Sequence, residues 1–175
     1  MTIRSSGSCS QLQQALSEAL NRQEHLNLGP KAAERVVEDW IVDNLGEFAD
    51  WCDLPDLELV RRQYRFADRT RADLLCRSTA RKGAFPKGLW VVIELKAGLL
   101  LPIDVDQIAG YVAAVERELD HTGRGVLGVL VGDGWDPAVV ARIEERDVAV
   151  ICQNLVSIGF HTALFESTRA IECDE

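Results

Sequence analysis

Apolar residues first recur at helical spacing at Leu12, Leu16 and Leu20, so residues 10–26 read as an N-terminal helix that "NLGP" at 27–30 brings to an end. From Lys31 to Leu45 the positions Val37, Ile41 and Leu45 repeat at i+4, with Glu34 and Glu38 on an adjoining stripe, which predicts one long amphipathic helix. The period then changes. "LELVRRQYRF" (57–66), "RADLLCR" (71–77) and "LWVVIELKAG" (89–98) read as extended segments, the last two separated by the turn-rich "STARKGAFPKG", and together they predict an antiparallel meander. Helical character returns over 104–120. It is followed by the short buried strand "GVLGVLVG" (125–132), a helix opened by Asp-Pro over 136–146, and the strand "DVAVICQ". "LVSIGFHTALF" has no decisive period. The order helix, three strands, helix, strand, helix, strand predicts an α/β fold with a mixed central sheet flanked by helices. The chain divides into an N-terminal helical arm (1–30), one domain (31–165) and a tail (166–175).

Composition agrees with a single domain: 175 residues at 47% hydrophobic content can bury a sizeable core. The longest apolar runs fall far short of the ~20 residues a bilayer requires and "MTIRSSGSCSQLQQ" lacks a signal-peptide core, so a cytoplasmic protein without a membrane association is expected. Cys9, Cys52, Cys76, Cys152 and Cys173 contain no CxxC pair, and His25, His121 and His161 form no metal-binding spacing. The formal net charge of −9 argues against coating nucleic acid by bulk electrostatics. Residues 61–88, however, carry nine Lys and Arg against two Asp, a local excess of seven positive charges.

"LWVVIELKAG" joins this basic segment to chemistry. In a strand Trp90, Val92, Glu94 and Lys96 share one face while Val91, Ile93 and Leu95 fill the other, so two opposite charges sit side by side in an otherwise apolar element. A structural ion pair is the plain alternative, but desolvating it costs several kcal/mol per ion. Asp73, on the preceding strand, can reach the same end of the sheet as Glu94, and two adjacent carboxylates repel unless a cation lies between them. Oxygen ligands without His or Cys suit Mg²⁺ or Mn²⁺, and a nearby ammonium can orient a metal-activated water. This points to phosphodiester hydrolysis.

Asp73 in "RADLL" followed about twenty residues later by Glu94-x-Lys96 in "VVIELKAG" resembles the PD-(D/E)XK nuclease superfamily. "DQIAGY" supplies Gln107 and Tyr111 in the Q-x-x-x-Y spacing of RecB-type and NucS-type members, and "RVVEDWIVDNL" offers Glu38 on the preceding helix. Motif order and the later "GVLGVLVGDG" bring the chain closest to the catalytic domain of NucS (EndoMS) type endonucleases, over roughly residues 31–155. The resemblance implies a restriction-endonuclease-like core and a metal-dependent DNA endonuclease of repair, restriction or defence. It makes Asp73 and Glu94 metal ligands joined by the Leu95 carbonyl, and Lys96 the group that positions the attacking water. Glu38 would contact the metal through water, with Glu34 one turn earlier as its competitor. Gln107 and Tyr111 would bind phosphate or brace the carboxylates. Arg71, Arg81, Lys82 and Lys87 are candidate DNA contacts, the last three on a hairpin tip expected near the metal. NucS-type enzymes carry a separate domain for DNA binding and dimerisation, whereas about thirty residues precede the catalytic helix here, so mismatch specificity is not carried over. The acidity outside the basic segment leaves room for a protein partner or a homodimer. A non-catalytic nucleic-acid- or partner-binding module on the same fold is the alternative function.

Overall fold

The computed structural model describes residues 30–158. The helix expected over 10–26, the tail from 166 and most of "LVSIGFHTALF" lie outside those residues. Helix α1 (Pro30–Asp43) is followed by α2 (Leu45–Trp51), strands β1 (Leu57–Arg65), β2 (Arg71–Ser78) and β3 (Trp90–Leu95), helix α3 (Pro102–Glu118), β4 (Val126–Gly132), α4 (Ala138–Arg146), β5 (Val150–Asn154) and a 3₁₀ turn at Leu155–Ile158. The predicted order holds with one addition, α2. The apolar i+4 pattern runs on through Leu45, but Asn44 leaves the helical region at φ −129° and its Nδ2 donates to Trp40 O at 2.9 Å, closing one helix before the next begins.

The five strands lie side by side in the order β1-β2-β3-β4-β5. β1, β2 and β3 are antiparallel neighbours, while β3, β4 and β5 run parallel, joined by crossovers through α3 and α4. The sheet is therefore mixed, as the element order predicts. β3 and β4 are buried on both faces and read as continuous apolar runs, as central strands of a covered sheet must. On one face Val91, Ile93 and Leu95 meet Val37, Trp40 and Ile41 of α1 and Phe48 of α2. On the other, Trp90 and Val92 meet Val105, Ile108, Tyr111 and Val112 of α3.

Two local features fix α3, and with it the helical part of the site. Asp104 turns back to accept from the Leu101 N–H at 2.7 Å, and Pro102 opens the helix where its missing N–H costs nothing. Gly128 of β4 then lets the helix close on the sheet, since a Cβ there would stand 2.7 Å from Ile108 Cγ1. Asp106 adds an anchor by accepting from Arg142 Nε and Nη2, both at 2.9 Å, which ties α4 to α3.

Candidate active site

Antiparallel pairing of β2 with β3 sets Leu74 opposite Ile93 and Arg77 opposite Trp90. Continued by one residue, that register places Asp73 opposite Glu94 at one end of the ladder. The Leu95 N–H bears out the proximity by donating to Asp73 Oδ2 at 2.8 Å. Lys96 lies one residue beyond β3, held to β4 by its N–H donating to Val131 O at 2.9 Å. Its ammonium donates to Glu94 Oε1 at 2.9 Å and to Gln107 Oε1 at 2.8 Å, with Asp104 Oδ1 at 3.9 Å.

Gln107 projects into the same cluster from α3, and Tyr111 follows one turn later. The Gln107 Nε2 donates to Glu94 Oε1 at 2.8 Å and to Tyr111 Oη at 2.6 Å, while its carbonyl takes Lys96, so all three partners fix which way the amide faces. Glu38 is buried on α1 and accepts from Arg62 Nε at 2.8 Å and Gln63 Nε2 at 2.7 Å. Glu34, one turn earlier, accepts from the Ala97 N–H at 3.0 Å. Both helix carboxylates therefore reach this end of the sheet.

Gln63 has no place in the sequence reading, yet it bridges two of the acids: the Nε2 that meets Glu38 also donates to Asp73 Oδ1 at 3.1 Å. It sits across the ladder from Asp73, beyond a register shift between Leu59 and Arg61, with φ at +49°. Left-handed backbone at a non-glycine residue costs about 1 kcal/mol or more and concentrates at functional sites. A positive φ has no sequence signature at a glutamine. A cleft of about 540 Å³ opens here, walled by Glu34, Glu38, Gln63, Arg71 and Asp73 among others.

The electrostatics are those of a strained site. Burial, reinforced by the Asp73 charge, pushes the Glu94 carboxyl up from its ordinary 4.5 to about 7, against the pull of Lys96. For Lys96 burial opposes the charge, but attraction to Glu94, with Asp104 and Glu34 adding to it, raises its pKa on balance. Burial also raises Tyr111, which stays a neutral phenol. Glu94 Oε2 is buried and receives no hydrogen bond. An uncompensated buried carboxylate oxygen is costly, and a bound cation is one way to satisfy it. Among the described residues no three His, Cys, Asp or Glu side chains close on one point, and the carboxylates brought together at this end of the sheet are the Asp73–Glu94 pair. That set fits Mg²⁺ or Mn²⁺, which are commonly held by one or two carboxylates with the remaining positions left to water and phosphate.

The basic candidates separate. Arg71 lines the cleft beside Asp73. Arg81, Lys82 and Lys87 do not lie near the carboxylates, and this corrects the expected placement of the hairpin tip. The tip joins the end of β2 to the start of β3, whereas Asp73 lies near the start of β2 and Glu94 near the end of β3. Ser78 N donates to Leu89 O at 2.9 Å, five ladder steps from Asp73–Glu94, roughly 16 Å at strand rise. Lys82 is also committed, donating to Leu54 O at 3.0 Å with Asp53 Oδ1 at 3.1 Å.

The chain matches no family model and no curated protein in sequence. Its fold is similar to that of EndoMS in complex with double-stranded DNA, at a TM-score of 0.52 and 19% identity over 70% of this chain. A repair endonuclease from Pyrococcus abyssi superposes at 0.50 with 19% identity over 67% of this chain, and EndoMS in its apo form at 0.50 with 21% over 69%. The fold is that of the restriction-endonuclease-like nucleases. The chain spans 44–46% of the length of these neighbours.

Among the described residues, no helix is long and apolar enough to cross a membrane.

Proposed function

We propose that the protein is a Mg²⁺- or Mn²⁺-dependent DNA endonuclease of the PD-(D/E)XK type. The observation that carries this reading is the meeting of Asp73, Glu94 and Lys96 at one sheet end, with Glu94 Oε2 buried and unpartnered. A purely structural ion pair needs neither the second carboxylate nor an orphaned oxygen. The ladder register supports it further, because it makes the acids neighbours at a cost that packing alone does not recover.

Asp73, Glu94 and the Leu95 carbonyl would hold the ion, which when bound supplies the Lewis acidity that polarises a phosphodiester and eases ionisation of water. The protein's own groups do the rest. Gln107, braced by Tyr111, holds the Lys96 ammonium beside Glu94, where it can orient a water and neutralise charge gathering on the phosphate. Gln63 fixes Asp73 and Glu38 relative to each other. Glu38 and Glu34 offer an acceptor to solvent drawn toward the ion, and Arg71 offers positive charge to the backbone along the cleft wall. Attack of water on phosphorus breaks one P–O ester bond, leaving a phosphate end and a hydroxyl end.

Single-stranded, duplex and branched DNA incubated with Mg²⁺ or Mn²⁺ should be cut, and EDTA should stop the reaction. Binding without turnover on all three substrates in both metals would favour the alternative reading of a non-catalytic module.

A further inference from the structure

A cleft of about 800 Å³ lies at the opposite end of the β2–β3 ladder from the carboxylates. Arg77, Arg81, Lys87 and Arg124 line it, with Glu58 the one acidic residue in the wall among the described residues. Arg77 and Arg124 converge on Gly88: a Cβ there would stand at ordinary contact distance from both, 3.5 Å from Arg77 Nη2 and 3.6 Å from Arg124 Cγ, and the φ of +87° is what favours glycine at the turn beneath them. Arg77 is held in place by the Trp90 ring, 5.1 Å from guanidinium carbon to centroid. The wall beside it is rigid, since Ser78 Oγ donates to Pro86 O at 2.8 Å and accepts from Leu89 N at 2.9 Å.

None of the four cations makes an ion pair with a carboxylate among the described residues, although Lys82 next door is paired with Asp50 and Asp53. The nearby Asp120 spends its oxygens on the Arg124 and Gly125 N–H groups and the Thr122 hydroxyl. Solubility does not call for such a cluster, because a chain of net charge −9 is already far from neutrality. Glu58, across the ladder from Arg77, and Asp120, on which the Arg77 charge acts, offset part of this charge, but four cations against two carboxylates leave the concavity with a net positive field that favours a polyanion. Among the described residues the wall contains no aromatic ring on which a base could stack, and its apolar members are Ala84 and Pro86, so recognition by charge is what this lining offers.

We infer that this cleft is a second, non-catalytic nucleic-acid site that grips the sugar-phosphate backbone independently of sequence and of the carboxylate end. It does not depend on the protein being a nuclease, because backbone binding needs no metal. Arg81, Lys87 and Arg124 are exposed and can be changed without disturbing the core.

The test is fluorescence anisotropy with labelled single-stranded and duplex oligonucleotides in EDTA, where nothing is cut, at several salt concentrations. The triple variant Arg81→Ala/Lys87→Ala/Arg124→Ala is compared with a charge-matched control, Arg61→Ala/Arg65→Ala/Arg69→Ala, on and beyond the β1 edge. The cleft variant should bind at least tenfold more weakly, and its plot of log K against log salt should flatten by about 0.7–0.9 for each phosphate that the cleft no longer neutralises. Equal losses in the cleft and control variants would reduce the effect to bulk charge and overturn the inference, as would unchanged slopes. In an NMR arm, oligonucleotide should shift the Gly88 and Thr122 amides more than inorganic phosphate does at matched phosphate concentration. The reverse would mark a small-anion site and overturn it too.

Discussion

Replacing Glu94 with glutamine should make the metal-free protein more stable while abolishing its activity. The carboxyl is raised from 4.5 to about 7, so above pH 7 the folded state carries an ionised group that the unfolded chain would bear at less cost. The native state binds the extra proton between those two values, so stability falls as pH rises from about 4.5 to 7 and the full penalty stands above it. A shift of that size corresponds to about 3 kcal/mol. Glutamine resembles the protonated form, can still accept from Lys96 and Gln107 through its carbonyl, and should recover much of that amount. Lys96 keeps Asp104 nearby as a counter-charge. The assay is thermal or urea unfolding in EDTA at pH 5 and pH 8. At pH 8 the variant should melt roughly 6–12 °C above wild type, at 2–4 °C per kcal/mol for a chain of this size, and at pH 5 the gap should nearly close. Saturating Mg²⁺ should stabilise wild type and leave the variant unmoved. If Glu94 and Lys96 were simply a buried structural pair, removing one partner would cost about 3–5 kcal/mol instead. A variant less stable than wild type at pH 8 refutes the reasoning.

Asp73→Asn and Lys96→Ala should each lower cleavage at least about 10²-fold with the circular dichroism spectrum unchanged, and wild-type turnover by either purified variant would remove that residue from the site. Ca²⁺ should bind yet support little cleavage, because its longer and looser coordination misplaces water; rapid cutting in Ca²⁺ alone would count against a two-carboxylate site. Gly128→Ala should destabilise by about 1–3 kcal/mol in urea unfolding, since the new methyl meets Ile108 Cγ1 at 2.7 Å and Val150 Cγ2 at 3.2 Å.

The Asp73–Glu94 juxtaposition was legible because a strand has a period of two and antiparallel pairing sets the start of one strand beside the end of the next. Gln107 and Tyr111 were legible for the same kind of reason, being one turn apart on a helix. Gln63 was not, because its part depends on a register shift and a left-handed φ that no residue type there announces. The break at Asn44 was hidden by an apolar pattern that continues across it. The commitment of Lys82 was equally invisible, since its partners stand about thirty residues earlier in the α2–β1 connection and at the end of α2. The position of the hairpin tip, by contrast, follows from strand direction alone: acids at the outer ends of two antiparallel strands are far from the turn that joins them.

That same hairpin bears on how the chain folds. β1, β2 and β3 pair with sequence neighbours, while β3–β4 and β4–β5 pairing must wait for crossovers through α3 and α4 to close much longer loops. Loop closure favours the meander first, and with it the approach of Asp73 to Glu94. Only the smaller part of the Glu94 penalty, repulsion from Asp73, is then present at the folding barrier; the larger part, burial of the carboxyl, arrives when the helices cover the sheet. The added stability of Glu94→Gln should therefore appear as slower unfolding more than as faster refolding in a chevron plot. Folding of this chain meets most of its electrostatic penalty late, when the meander that assembles first is covered.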